Sequence, residues 1–167
     1  MKYLPPLLWR SECGRYRVRI LRRCLRKMQR LAVAHAPNEV GTCLVGQYSR
    51  DGHEAVVVAL APLTPDSKAG QWSFVRGIVG LRAFFESTRH RFRGRRHRVG
   101  EWHSHPNAAP TPSAIDDDNQ MELARTETER LPEAILIIIG HDLTERQSLG
   151  VSVYSRTRGR IELTSFR

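Results

Sequence analysis

The sequence predicts an α/β or α+β fold, in which about three helices flank a central mixed β-sheet. Segments with the patterns of strands and helices alternate along the chain, and the continuous apolar run at 134–139 is typical of a strand buried on both faces. The length of 167 residues is that of one domain with a normal core. We therefore expect a single domain over 1–167, with an N-terminal extension at 1–14.

The first half of the chain predicts a strand, a helix and a hairpin. At 16–20, Tyr, Val and Ile alternate with arginines, which indicates a half-exposed strand. Apolar side chains then recur at helical spacing over 21–32 and leave basic residues on the outer face, so a helix follows and ends at Pro37. Strands at 42–48 and 54–61 form a hairpin with a turn between them.

The second half predicts a loop and two further helices around a strand. The loop at 62–70 is polar and contains Pro and Gly, and a helix is expected at about 74–90. A strand at 98–105 precedes a third helix, expected from 113 to about 130. Three more strands complete the predicted sheet, at 134–140, 149–155 and 161–166.

The most informative motif is His103-Ser104-His105-Pro106. Residues two apart on an extended strand point to the same side, so both imidazoles can bind one ion. Asp116 can supply a third ligand, an anionic oxygen, if the proline-containing loop 106–112 folds back. Two nitrogens and one carboxylate oxygen leave a tetrahedral Zn²⁺ one open position, as in catalytic zinc sites. The ligand types alone would also allow an iron site with two histidines and one carboxylate.

A simpler interpretation of Ser113 and Asp116 stays open. Their spacing is that of a helix N-terminal box, with Ser113 as the N-cap and Asp116 in the first turn, where the helix dipole favours anions. Taken alone, the three acidic residues at 116–118 are typical of such a turn. Together with the histidine pair, the pattern favours a metal ligand at Asp116.

These spacings resemble the signature of the JAB1/MPN/Mov34 (JAMM) zinc metalloproteases. That signature has an upstream Glu, then His-Ser/Thr-His-Pro, seven residues after the second His, and Ser-x-x-Asp. Here residues 106–112 are the seven, so Ser113 and Asp116 match without a gap. The upstream segment of the family reads roughly Glu-x-x-Gly-x-Leu-x-Gly, and Glu39 begins a similar stretch whose first glycine, Gly41, comes one place early.

The resemblance implies a fold, a cofactor and a role for each residue. It implies a JAMM/MPN fold of the cytidine-deaminase-like type and one Zn²⁺ per chain, bound by His103, His105 and Asp116. Glu39 would be the general base, and Ser113 would donate a hydrogen bond to the oxyanion. Glu101 is a second candidate base, because it shares a strand face with both histidines, but an anchoring role is favoured for it.

The resemblance also implies a reaction and partners. The motif is similar to that of a small prokaryotic branch linked to integrative elements and anti-phage (CBASS-type) operons, which also carry E1-like and E2-like proteins. Such enzymes hydrolyse the amide bond between the C-terminus of a ubiquitin-like protein, or of a conjugated nucleotidyltransferase, and its target. The motifs of other classes are absent from the sequence: the Pro-Cys-x-x-Cys of nucleoside deaminases, the His-Glu-x-x-His of zincins, and phosphate loops.

The charge of the chain raises an alternative. The net charge is +10, and nearly all of the 27 basic residues are arginines, concentrated at 15–30 and 89–98. This surface could steer an acidic partner towards the cleft, or serve a non-catalytic protein that binds a partner or nucleic acid through it. Nucleic acid is not favoured as the main partner, because no recognition motif accompanies the charge.

Cysteine usage and hydropathy bear on the compartment. Three widely spaced cysteines do not form a disulfide framework and indicate a reducing environment. The apolar stretch at 3–9 is too short and proline-rich for a signal peptide, and the run at 134–139 cannot span a bilayer. We expect a cytoplasmic protein without a membrane partner.

Overall fold

The computed structural model of the chain describes residues 5–126, 133–145 and 148–166. Three helices and ten strands lie within these ranges, in a mixed α/β arrangement. In chain order they are β1 (Leu7–Arg10), β2 (Arg17–Ile20), α1 (Arg22–His35), β3 (Gly41–Tyr48), β4 (Glu54–Leu60), β5 (Lys68–Ala69), β6 (Phe74–Val75), α2 (Leu81–Arg91), β7 (His97–Ser104), α3 (Ala114–Thr126), β8 (Ala134–Ile139), β9 (Leu149–Ser155) and β10 (Gly159–Phe166).

Eight of these strands form a closed barrel in the order β1-β10-β9-β8-β7-β3-β4-β2. The pairs β7–β8 and β2–β4 are parallel and the others are antiparallel, so the predicted mixed sheet is confirmed. It closes on itself because β1, which lies inside the predicted N-terminal extension, pairs with both β2 and β10. Its Leu7 and Trp9 are buried in the barrel core. The cytidine-deaminase-like character of the fold stays a prediction.

The helices lie on different faces of the barrel wall. α1 contributes Cys24, Leu25, Met28 and Ala32 to the central core. α2 packs outside, near Cys43 of β3, and α3 packs outside on β8. Successive residues of β8 therefore point alternately into the central core and towards α3, and every residue of the strand is buried. This confirms the prediction of a strand buried on both faces at 134–139.

The barrel has two rims, defined here by the direction of β7. At the upper rim β7 and β8 end, and the pairing registers place the start of β3 and of β9 there too. α1 joins the upper ends of β2 and β3 and contacts both β4 and β8, so it lies across this opening. At the lower rim lie the β1–β2, β3–β4 and β9–β10 connections and the turn between α2 and β7.

Two predicted element bounds need correction or fall outside the described residues. The helix predicted from 74 begins at Leu81, because the Asp66 carboxylate accepts hydrogen bonds from the backbone N–H groups of Ile78 (2.9 Å) and Val79 (3.2 Å) and holds this segment in a turn. Before it, β6 pairs with β5 in a small separate sheet. The predicted end of α3 near 130 lies outside the described residues. No helix in the described ranges is long and apolar enough to cross a membrane.

Candidate metal centre

The histidine pair lies where β7 reaches the upper rim. Trp102 points into the central core, so its neighbour His103 points to the outer face of the wall. The backbone N–H of His105 donates to the carbonyl of Ile139 (2.7 Å), which extends the pairing with β8 by one residue. Both histidines are buried and lie on one side of the strand end.

The two imidazoles face each other through their Nε2 atoms, which lie 2.9 Å apart. The Nδ1 of His105 lies 3.2 Å from the carbonyl oxygen of Ala109. Since a carbonyl can only accept, this Nδ1 carries the hydrogen and the Nε2 of neutral His105 presents a lone pair. Burial, followed by the charge of His103, lowers the pKa of His105 and favours this neutral form.

The loop after the histidines folds back across the upper rim. Pro110 packs against Gly140, which directly follows β8, and Gly150 of β9: a Cβ at Gly140 would lie 2.7 Å from its Cδ, and one at Gly150 would overlap its carbonyl. The backbone N–H of His141 donates to the carbonyl of Ala108 (2.8 Å). The proline-rich loop is thus fixed on β8 and β9, and it returns the chain to the start of α3 beside the histidines.

Asp116 has both sets of contacts that its sequence pattern predicts, those of a metal ligand and those of a residue in the first turn of a helix. Its Oδ1 lies 3.4 Å from Nε2 of His103, and its Oδ2 lies 3.7 Å from Nε2 of His105. The Ser113 Oγ (2.7 Å) and backbone N–H (2.8 Å) both donate to Oδ2, and the Asp116 N–H donates to Oγ (3.2 Å), which is the reciprocal cap of a helix start. Burial alone would raise the pKa of Asp116, but the hydrogen bond and charge of His103, with Ser113, hold it well below its usual range.

The donor set fits a divalent metal ion. The ligand atoms of His103, His105 and Asp116 all lie within 4.8 Å of one another. An imidazole lone pair and carboxylate oxygens converge on the same small space, and this arrangement calls for a cation between them. Over 5–126, 133–145 and 148–166, it is the one group of three or more such donors.

Glu39 lies immediately before β3 and is 7% exposed. Its backbone N–H donates to the carbonyl of Gly70 (2.8 Å). Burial raises the pKa of its carboxyl, and the charges of His103 (lowering) and Asp116 (raising) also act on it, so the fold brings this carboxyl near both. The predicted base is therefore close enough to His103 and Asp116 for their charges to act on its carboxyl.

Two contacts fix the position of Glu39 relative to the histidines. The Ser104 side chain, which points away from the metal donors and is 0% exposed, accepts a hydrogen bond from the N–H of Val40 (3.1 Å), and its own N–H donates to the Val40 carbonyl (2.9 Å). Gly41 pairs with His103 so closely that a Cβ there would lie 2.7 Å from the His103 Cβ. The glycine is required because the two strands approach each other here.

Glu101 is held by partners of its own. Its Oε1 accepts from Arg76 Nε (2.7 Å) and from Arg98, and its Oε2 accepts from Gln120 (3.3 Å). Burial would raise its pKa, but the charges of Arg98 and Arg76 keep the pKa below its ordinary value. This arrangement favours an anchoring carboxylate over a proton acceptor.

A cavity of about 400 Å³ opens beside the donors, between β6 and α3. His103 and Asp116 line one side of it, and Arg76 and Glu101 line another. Val75 and Ile115, also in its wall, are 63% and 72% exposed. The cleft therefore combines the candidate metal ligands with apolar surface that a bound polypeptide could cover.

A polar cluster that the sequence analysis missed fixes α3 to the barrel. Asp117, next to Asp116, accepts a hydrogen bond from the hydroxyl of buried Tyr154 (2.6 Å). The same carboxylate binds Arg160 through both oxygens (3.0 and 2.8 Å). No local signal marks this cluster, because Asp117 reads as part of an acidic first turn and its partners lie far along the chain.

Comparisons with known proteins agree with this geometry. The family model described as prokaryotic homologs of the JAB domain matches residues 21–152. A protein of Enterobacter hormaechei subsp. hoffmannii (strain UCI 50), named CD-NTase/cGAS isopeptidase, is 33% identical over 153 residues, which cover 92% of this chain and 83% of that protein. The solution structure of protein DSY2949 from Desulfitobacterium hafniense matches with a TM-score of 0.56 at 23% identity, covering 86% of this chain and 87% of that one, and shows likeness of fold alone.

Proposed function

This chain belongs to the family of prokaryotic homologues of the JAB domain, and from that membership we propose that it is a zinc-dependent isopeptidase. It would hydrolyse the amide bond between the C-terminus of a ubiquitin-like protein, or of a conjugated nucleotidyltransferase, and its target. The observation that supports this most is the convergence of His103, His105 and Asp116 beside the buried carboxyl of Glu39. A protein that only binds partners has no use for these four groups in one place.

The residues of the chain account for the chemical steps. Zn²⁺ held by His103, His105 and Asp116 would act as a Lewis acid that polarises the scissile carbonyl and acidifies water. Glu39 accepts a proton from the attacking water while the water oxygen forms a bond to the carbonyl carbon. When the carbon–nitrogen bond breaks, Glu39 returns the proton to the leaving amine, which in an isopeptide is a lysine side chain.

Ser113 is proposed as the hydrogen-bond donor to the oxyanion. Its hydroxyl donates to Asp116 Oδ2 in this structure, so the role requires the hydroxyl to turn from the carboxylate to the substrate oxygen. Glu101 is proposed to take no proton, because Arg76, Arg98 and Gln120 already occupy its oxygens.

The favoured substrate is a conjugated nucleotidyltransferase. The name of the Enterobacter relative refers to a CD-NTase, which is a nucleotidyltransferase, and the match covers most of both chains. The cleft of about 400 Å³ between β6 and α3 would accept part of the tail, with Val75 and Ile115 in its wall. We expect E1-like and E2-like proteins to make the conjugate, and the neighbouring genes would test this.

The test uses a reporter in which a C-terminal peptide of the candidate nucleotidyltransferase is joined to a lysine Nε of a small protein. Elemental analysis should find close to one zinc per chain in the wild type and much less in His103→Ala and His105→Ala. The wild type should release the peptide, and both variants should be inactive. Full zinc retention by both variants would contradict the ligand assignment, and a zinc-loaded wild type that cleaves no conjugate would contradict the proposed reaction.

A non-catalytic role is the second candidate. In it, the cleft and the arginine-rich surface would bind a partner without hydrolysis. Binding a partner without hydrolysis requires neither the raised pKa of the Glu39 carboxyl nor the buried pair His103 and His105. The arginine-rich surface itself has a separate explanation.

A further inference from the structure

The topology of the barrel gathers arginines at the lower rim. Each connection there, β1–β2, β3–β4, α2–β7 and β9–β10, contributes at least one. The Nε of Arg15 lies 3.1 Å from Nε2 of His53, to which it donates a hydrogen bond, so the β1–β2 and β3–β4 connections are in contact. The set is called the arginine rim and consists of Arg15, Arg50, Arg91, Arg93, Arg95, Arg96, Arg156 and Arg158.

The turn between α2 and β7 is the densest part of this rim. Arg93 adopts a left-handed conformation, with φ of 50°, in a turn closed by hydrogen bonds from the N–H of Gly94 to the carbonyl of Arg89 (2.8 Å) and from the N–H of Arg95 to the carbonyl of Phe92 (3.0 Å). The Arg96 guanidinium lies 3.8 Å from the centroid of the Phe92 ring. Together with Arg91 and Gln47, these side chains line a cavity of about 270 Å³. The turn is thus concave, with a flat guanidinium and ring pair in its wall.

At the end of α2 and in the turn after it, positive charge lies without a paired acid in the described part of the chain. Among the described residues, Arg91, Arg93, Arg95 and Arg96 form no ion pair. Among the described residues of the same rim, the acids Glu12, Asp51 and Glu133 are fewer than the arginines. Like charges held together without counter-charges repel one another, so a polyanionic ligand would stabilise the arrangement.

We propose that the arginine rim binds the phosphodiester backbone of a nucleic acid. Guanidinium groups bind phosphate oxygens in a bidentate way, and repeated phosphates can pair with arginines on several connections at once. The stacked Arg96 and Phe92 offer a surface on which a base can lie. An acidic protein surface would need to match the particular spacing of these turns, whereas a phosphate chain adapts to it.

This surface lies apart from the metal centre. The turn enters β7 at His97, six residues before His103, which corresponds to about 20 Å along the strand. Arg91, Arg93, Arg95 and Arg96 line a cavity of their own, and only Arg98, which follows them on β7, reaches the cleft beside the metal ligands. A bound strand at the lower rim leaves the cleft between β6 and α3 open, so the two activities can be measured separately.

The test compares two triple variants that each remove three positive charges from the full-length protein. Arg91→Gln/Arg93→Gln/Arg95→Gln alters the rim, and the matched control Arg26→Gln/Lys27→Gln/Arg30→Gln alters the exposed face of α1 at the other rim. Fluorescence anisotropy with a labelled oligothymidylate, titrated over a range of salt, gives the affinity and its salt dependence. The rim variant should bind more than about tenfold more weakly at physiological salt, and its log–log salt slope should be smaller by about 2. The α1 variant should bind nearly as the wild type does.

Three outcomes would overturn the proposal. If the wild type shows no salt-dependent binding to the oligonucleotide, nucleic acid is not a ligand of the arginine rim. Equal losses in both variants would mean that net charge acts without a site. Displacement of the oligonucleotide by polyglutamate at equal charge concentration would point to an acidic protein instead. Zinc content and reporter cleavage should be unchanged in both variants, so failure of this proposal and failure of the isopeptidase assignment are distinguishable.

Discussion

The two sides of the metal centre are held by different kinds of contact. Glu39 lies on a segment fixed by backbone register, since Gly41 pairs with His103 and Ser104 exchanges hydrogen bonds with Val40. Asp116 depends on side chains at the start of a helix packed outside the barrel wall. The proposed base is therefore positioned by the barrel itself, and the proposed third ligand by polar side-chain contacts that single substitutions can loosen.

The difference suggests a division of roles. A backbone-fixed carboxyl keeps its distance from the histidines when neighbouring side chains change. Asp116, the proposed ligand on α3, moves with that helix. The position of the helix in turn depends on Asp117, whose contacts with Tyr154 and Arg160 attach the first turn to β9 and β10. Variants on the Glu39 side should change turnover, and variants on the Asp116 side should change metal affinity.

The largest effect is expected for Glu39→Gln. The amide keeps the shape of the side chain but cannot accept the proton, so kcat on the conjugate reporter should fall by about 10²–10⁴-fold. Zinc content should stay at the wild-type level, because Glu39 is not a ligand in the proposed site. Kinetics and elemental analysis on the same preparation check both halves of this expectation.

Glu101→Gln is the matched control, because Glu101 is the second candidate base and lies on the strand face of the two histidines. Removing this charge leaves Arg76 and Arg98 without their carboxylate, so the free energy of unfolding should fall by about 1–3 kcal/mol. Turnover per folded molecule should change much less than in Glu39→Gln. The opposite order of losses would assign the base to Glu101.

Asp117→Asn tests the attachment of α3. The amide cannot pair with Arg160 as a carboxylate does, so Asp116 should be less well positioned and zinc affinity should fall by about 10–100-fold. Competition with a zinc chelator measures this without any substrate. The control is Asp118→Asn, an exposed neighbour on the same helix, and equal affinities of the two variants would show that the attachment does not act on the metal centre.

Ser104→Ala should affect the site less than Glu39→Gln and Asp117→Asn do. It leaves the buried N–H of Val40 without its acceptor, which should cost about 1–3 kcal/mol of unfolding free energy. Displacement of the adjacent Glu39 should lower kcat by roughly tenfold. Thr42→Val removes another buried hydrogen bond nearby, from Thr42 to Pro62, and should lower stability while sparing kcat. A loss of kcat in both variants would indicate general loosening of β3.

The features predicted from the sequence are those that depend on short spacings. The strand with His103 and His105, the helix start at Ser113 and the hairpin of β3 and β4 each follow from patterns within a few residues. Barrel closure could not be predicted from such patterns, because β1 has only four residues and its partner β10 lies far from it along the sequence. For the same reason, the contact of Asp117 with Tyr154 and the gathering of arginines on one rim needed the folded structure.

Closure by β1 and β10 has a consequence for folding during synthesis. Leu8 pairs with Phe166, so the barrel is sealed by the first and the last of the ten described strands to be synthesised. β7, which carries His103, and its neighbours β3 and β8 emerge earlier and can pair while β10 is still being made. A nascent chain can therefore assemble its histidine pair before its barrel is closed, and until β10 arrives the unpaired edges of β1 and β9 expose it to aggregation.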